Sequence, residues 1–176
     1  ALSKTGLTRP LTSSESAQLE SIKSNFTIAD AESIQVHERK TRHDVKAIEY
    51  FLQDKLQDTS LKDLLSWIHF GLTSEDVNNI AQVIALRDSR DNVLLPTLNA
   101  LINSLIEFAK QTRALPMLAR THGQFAVPTT LGKEFAIYIA RLKTARDEIA
   151  AHRFEAKLTG AVGNLNALQS AVPQVD

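Results

Sequence analysis

A chain of 176 residues, 43% hydrophobic and 23% charged, has apolar material for one sizeable domain, or for one domain and part of a second. Its 20 basic and 20 acidic residues cancel, so it lacks the basic field that nucleic-acid and membrane-surface binders need. The absence of cysteine excludes disulfides and thiolate metal sites and is compatible with a reducing cytoplasm, residues 1–10 lack the apolar core of a signal peptide, and no stretch approaches the roughly 18 consecutive apolar residues of a membrane helix.

With only six glycines, few strand signals and apolar residues recurring mostly at helical period, the chain reads as all-α. Residues 1–11 read as irregular. Thr12, Ser13 and Ser14 are candidate N-caps for a first helix that carries Leu19 and Ile22. A turn near Asn25 precedes a second helix from about Ala29. A third is expected over 43–57, with Val45, Ile48, Leu52 and Leu56 forming one apolar face. A short helix over 61–70 should stop at Gly71, after which Thr73-Ser74-Glu75-Asp76 supplies an N-cap and first-turn acids for the next helix.

The second half has longer periodic runs. Leu94, Leu98, Leu101, Leu105, Phe108 and Thr112 form one stripe, and Leu131, Phe135, Tyr138, Leu142, Ala145 and Ile149 form another. They predict long helices near 91–112 and 130–155, packed close to antiparallel in a helical bundle. A second stripe, Leu95, Ile102, Ile106 and Ala109, is expected to lie uncovered in a lone chain and to seek partners from other subunits or from further chain. Pro96 should mark a kink or a helix start. Residues 113–128, broken by Pro116, Gly123 and Pro128, read as loop, and 157–164 suggests a small β-hairpin.

Three polar clusters could carry chemistry. Arg39-Lys40-Thr41-Arg42-His43-Asp44 is either a solvated basic turn, with Asp44 complementing a helix dipole, or an anion-binding helix start; Arg39 and His43 would share a face once helical. His69-Phe70-Gly71-Leu72-Thr73-Ser74-Glu75-Asp76 is either a glycine stop followed by an ordinary cap, or a pair of hydroxyls placed where free helix N–H groups favour an anion. In Arg120-Thr121-His122-Gly123-Gln124, His122 is a plausible general acid, with Gly123 allowing a ligand close to the backbone; an ordinary loop is the alternative. No metal-ligand spacing, glycine-rich nucleotide loop or nucleophile elbow occurs in the sequence.

Taken in order, the strings Thr41-Arg42-His43-Asp44-Val45-Lys46-Ala47, Ile68-His69-Phe70-Gly71-Leu72-Thr73-Ser74-Glu75-Asp76-Val77, Arg120-Thr121-His122-Gly123-Gln124 and Gly160-Ala161-Val162-Gly163-Asn164 resemble the adenylosuccinate lyase family of the fumarase/aspartase superfamily. The resemblance runs from about residue 29 to the end. It implies an all-α subunit, with residues 1–88 in a small N-terminal helical domain, incomplete at its start, and 89–176 opening a central bundle. It implies a cytoplasmic homotetramer whose active sites take residues from three subunits, no cofactor or metal, and a small nucleotide substrate. The reaction would be β-elimination of fumarate from adenylosuccinate, giving AMP, and from the succinyl-carboxamide intermediate of purine synthesis.

Such an elimination needs a base to remove a proton beside a carboxylate, donors to stabilise the dianion formed, and an acid for the departing nitrogen; each proton-transfer role is typically worth about 10²–10⁴-fold. By resemblance His122 is the acid. Thr121, Thr73 and Ser74 would bind the succinyl carboxylates, Arg42, His43 and Asp44 the nucleotide end, with His43 also orienting the acid, and Gln124 would join them in binding substrate. The family's base, a serine in a Gly-Ser-Ser-x-Met-Pro-x-Lys-x-Asn loop, has no counterpart string here, and its early Arg-Tyr phosphate-binding pair is missing too. The chain is therefore expected to be an internal stretch of the family's length and inactive by itself. Argininosuccinate lyase, fumarase or a cycloisomerase, and a non-catalytic helical scaffold, are the competing readings.

Overall fold

The first turns of several helices are organised by side chains that take up their free backbone N–H groups. In the computed structural model, which describes residues 2–173, α1 (Ser13–Ser24) and α2 (Ile28–Thr41) both open on capping boxes, Thr12 with Glu15 and Thr27 with Asp30. His43 caps α3 (Asp44–Leu56), and α4 (Ser74–Ser89), α5 (Leu95–Gln111), α6 (Leu131–Ala151) and the short α7 (Asn166–Ala171) follow. Strands β1 (Pro116–Thr121) and β2 (Gln124–Thr130) pair antiparallel. The chain is mainly helical, as its periodicity predicts. Among the described residues no helix is long and apolar enough to cross a membrane.

The chain divides into two compact units, one of residues up to Ile80 together with those from Ala156 onward, the other Ala81–Glu155. In the first, Val45, Ala47 and Phe51 of α3 are buried together with Leu56, Leu61 and Val172. The inward face of α3 differs from the expected one: Ile48 is exposed, and Ala47 and Phe51 lie inside. The cause is a second neighbour. α3 packs on α2, where Lys55 pairs with Asp30 at 2.8 Å, and also on a 3-10 turn at Lys62–Trp67, which replaces the helix expected over 61–70.

The leading segment is anchored rather than loose. The Arg9 guanidinium donates to both oxygens of Glu15 at 2.8 and 2.9 Å, to Asp63 at 2.7 and 2.9 Å, and to the Ser60 carbonyl at 2.8 Å. Glu15 is buried and also accepts from Ser60 Oγ and the Thr12 N–H, so its carboxyl lies far below the usual range.

A second buried carboxylate closes the same unit. Asp76, in the first turn of α4, accepts from the Thr73 N–H at 3.0 Å, Lys157 Nζ at 2.6 Å, and the Thr159 and Gly160 N–H groups at 3.2 and 3.1 Å. The Asn79 side chain holds the Lys157 backbone by both its N–H and its carbonyl, at 2.9 and 3.1 Å. These side chains engage the backbone that a hairpin at 157–164 would need, and that hairpin is absent.

Strands instead cover most of 116–130, within and just beyond the 113–128 segment that reads as loop from its prolines. A two-stranded ribbon has only edge strands, so Pro116, the first residue of β1, and Pro128 cost it little. His122 and Gly123, with φ of 50° and 73°, form the two-residue turn whose twist matches such a ribbon.

In the second unit α5 and α6 run antiparallel. Asn99 meets Arg146 at 2.7 Å, Phe108 meets Phe135 edge-on at 4.8 Å, and Ala109 lies against Gly132. Ile102 and Ile139 are buried at the seam. The stripe of Leu95, Ile102, Ile106 and Ala109, expected to be uncovered, therefore faces inward or is half-buried, while Leu94 and Leu101 of the supposed seam are exposed. Pro96 explains the offset: lacking an N–H and crowding the carbonyl four residues back, it is preceded by a widened π turn at Arg90–Leu94, which rotates the face that follows.

Gly132 is packed so closely that a Cβ would strike the Ala109 carbonyl and the Arg113 backbone. Gly132→Ala should destabilise the second unit by roughly 1–3 kcal/mol, the usual cost of overpacking; urea unfolding that gives a stability equal to the parent's would contradict this packing. The carboxylates of the first unit set its acid response. Lys157 and the Thr73 N–H hold Asp76 down to about 2, and Lys55 and Thr27 hold Asp30 down to about 2. An unfolded aspartate titrates near 3.9, so the folded form binds the proton less tightly, and this stabilisation is complete above about pH 4 and lost as pH falls towards 2. Melting temperature should drop through that window and drop less in Asp76→Asn; an identical pH dependence in parent and variant would refute the assignment.

Candidate active site

Two loop-to-helix junctions meet in the first unit. Arg42 ends α2 in the left-handed conformation, φ 53°, its N–H bonded to the Glu38 carbonyl at 2.8 Å. This break separates Arg39, in the last turn of α2, from His43, so the two do not share a helical face as expected. His43 is extended and caps α3: its Nδ1 accepts from the Lys46 N–H at 3.2 Å. An acceptor at Nδ1 puts the proton of the neutral ring on Nε2, which lies 3.1 Å from Ser74 Oγ and donates to it. Ser74 Oγ accepts this hydrogen bond and still has its own O–H to donate to a ligand. Thr41 Oγ1 donates to the His43 carbonyl at 3.0 Å and steadies the junction.

Asp44 follows His43. Its carboxylate accepts from the Val45 N–H at 2.7 Å and from Asn78 Nδ2 at 3.0 Å, and in that order these donors lower its pKa. At the other junction Gly71, φ 74°, reverses the chain, and Thr73 and Ser74, half-buried, start α4. Arg42, His43 and Asp44 are exposed. The structure thus joins His43 and Asp44 to the start of α4, through Ser74 and Asn78. The result is an open polar lip with a hydroxyl donor at a helix N-terminus, chemistry suited to a carboxylate or phosphate.

The remaining residues of interest, Thr121, His122 and Gln124, sit at the tip of the hairpin in the second unit. Thr121 and Gln124 are the last pair of the ladder, and His122 opens the turn between them. One pair further down, the Arg120 guanidinium stacks 5.1 Å from the Phe125 ring centroid. All five side chains are exposed, and the imidazole stands open to a ligand on a turn set by its backbone.

The sequence reading missed the groups beneath Thr73 and Ser74. Thr73 and Asp76 have capping-box spacing, which hinted at the bond between the Asp76 carboxylate and the Thr73 N–H. Nothing local pointed to Lys157, 81 residues further on.

Several known proteins are similar to this chain. Adenylosuccinate lyase from Legionella pneumophila strain Philadelphia 1 is 46% identical over 154 residues, 87% of this chain and 34% of that protein. Adenylosuccinate lyase from Haemophilus influenzae strain Rd is 43% identical over 168 residues, 95% of this chain and 37% of that protein. The chain thus spans about a third of the length of the curated relatives it matches. Among solved structures, a fumarate lyase from Mesorhizobium sp. BNC1 superposes with a TM-score of 0.75 over 95% of this chain and 38% of its own, at 19% identity, a likeness of fold. The family model described as lyase matches residues 4–175, and the chain belongs to that family.

Proposed function

We propose that the protein containing this chain is an adenylosuccinate lyase, releasing fumarate from adenylosuccinate to give AMP and from the succinyl-carboxamide purine intermediate. The observation that carries this reading is the 3.1 Å hydrogen bond between His43 and Ser74, which fixes a hydroxyl group at the start of α4. Such a donor, beside Thr73, fits one carboxylate of a succinyl group. Thr121 serves another carboxylate, Gln124 also binds substrate, and Arg42, His43 and Asp44 serve the nucleotide end. His122 is the acid. The base is assigned to residues outside this chain. The proposal includes a cytoplasmic homotetramer without cofactor, with residues 1–88 in an N-terminal helical domain and 89–176 in a central bundle.

The acid assignment rests on proton delivery. A purine-ring nitrogen leaves poorly as an anion, and an exposed imidazole on a fixed turn can supply a proton at neutral pH. In the complete protein, His122→Asn should lower turnover of adenylosuccinate by about 10²-fold or more, because asparagine donates a hydrogen bond but transfers no proton. The side chain is exposed, so melting temperature should stay near the parent value. Near-parental turnover with a lowered melting temperature would remove His122 from the mechanism, and a parent protein that releases no AMP would overturn the function itself.

A further inference from the structure

We propose that Asp76 is a positioning residue for the Thr73–Ser74 turn, acting with Lys157 to fix where the Ser74 hydroxyl meets a substrate carboxylate; this rests on the carboxylate-binding role given to that turn above. Ser74 is gripped from two directions. His43, at the start of α3, holds its hydroxyl at 3.1 Å. Asp76 holds its backbone from beneath, by accepting the N–H of the preceding Thr73 at 3.0 Å, while the Asp76 N–H returns to the Thr73 carbonyl at 3.0 Å. With its N–H held by Asp76, the Thr73 backbone stays turned away from a ligand, and the Thr73 and Ser74 hydroxyls remain as donors there.

The carboxylate is itself immobilised. Asp76 is wholly buried, and Lys157 Nζ bridges from its Oδ1 at 2.6 Å to the Gly160 carbonyl at 2.9 Å. The Thr159 and Gly160 amides complete its shell, and Asn79 locks the Lys157 backbone. Capping a helix needs one acceptor, whereas Asp76 answers four donors, two of them the Thr159 and Gly160 amides. A charge shut away from water must have every lone pair answered, and here that demand ties residues 157–160 to the start of α4. Positioning matters at this scale because a displacement of about 1 Å can cost about 10²-fold in rate.

The first unit contains a matched control. Glu15 is also buried, also caps a helix and is also paired with a cation, Arg9, yet no candidate site residue stands at its helix start. In the complete protein, Asp76→Asn should lower kcat/KM for adenylosuccinate by about 10²-fold, measured below the melting range, while Glu15→Gln, of comparable melting temperature, stays within about 2-fold of the parent. Kinetics near parental in Asp76→Asn, or an equal loss in Glu15→Gln, would overturn the proposal. Should Asp76→Asn not fold, Lys157→Gln, which keeps the three backbone donors to Asp76, is expected to show a smaller loss in the same direction, and parental kinetics there would overturn it. Amide exchange on the chain is independent of turnover: Asp76→Asn should deprotect Thr73, Thr159 and Gly160 and leave α3 protected. Unchanged protection overturns the proposal, whereas absence of turnover in the parent overturns the lyase reading instead.

Discussion

A carboxylate removed from water must be met by donors wherever the chain can supply them, and for Asp76 the nearest come from opposite ends of the first unit. Thr73 donates from three residues back, and Lys157, Thr159 and Gly160 donate from more than 80 residues on. Much else in the unit follows from this requirement. Residues 157–160 cannot fold into a ladder of their own, because Asp76 and Asn79 hold their backbone. The segment beyond returns to the unit, where Leu168 of α7 closes over Gly71 and Val172 is buried. The turn that starts α4 is pinned, and Ser74 with it.

The two polar regions differ in the way their side chains are held. His43, Asp44 and Ser74 are cross-linked by side-chain and capping bonds between two helix starts, so their geometry is set by packing. His122 is set by its backbone alone, in the φ-positive turn of an exposed ribbon. A two-stranded ribbon is marginal in water unless something packs against it. The exposed Leu118, Phe125 and Val127 on this one give the apolar surface for such packing.

Sequence periodicity made the long helices legible because α5 and α6 turn apolar residues towards each other at helical spacing, and the candidate cap at Thr12 and the acid at Asp44 made the starts of α1 and α3 legible. It failed where a second influence acted on the same residues. Pro96 and the π turn before it changed which stripe of α5 faces α6, and a second neighbour moved the buried face of α3 to Ala47 and Phe51. The hairpin was hidden because Pro116 and Pro128 look like breakers until the strands are known to be edges. Of the site, the residue strings were legible and the hydrogen bonds were not. Thr73, Ser74, His43 and His122 stand in recognisable order, but the bond from His43 to Ser74 spans 31 residues and that from Lys157 to Asp76 spans 81.

Asp76 and Lys157 act as one clasp. A double-mutant cycle on the unfolding free energy of the chain tests it, with Asp76→Asn, Lys157→Met and the combined variant measured in the same denaturant series. Because Lys157→Met takes the cation from a buried carboxylate and Asp76→Asn removes the charge that Lys157 pairs with, the combined variant should be no less stable than Asp76→Asn alone. Losses that simply sum would mean that the two side chains act independently, and the clasp would be contradicted.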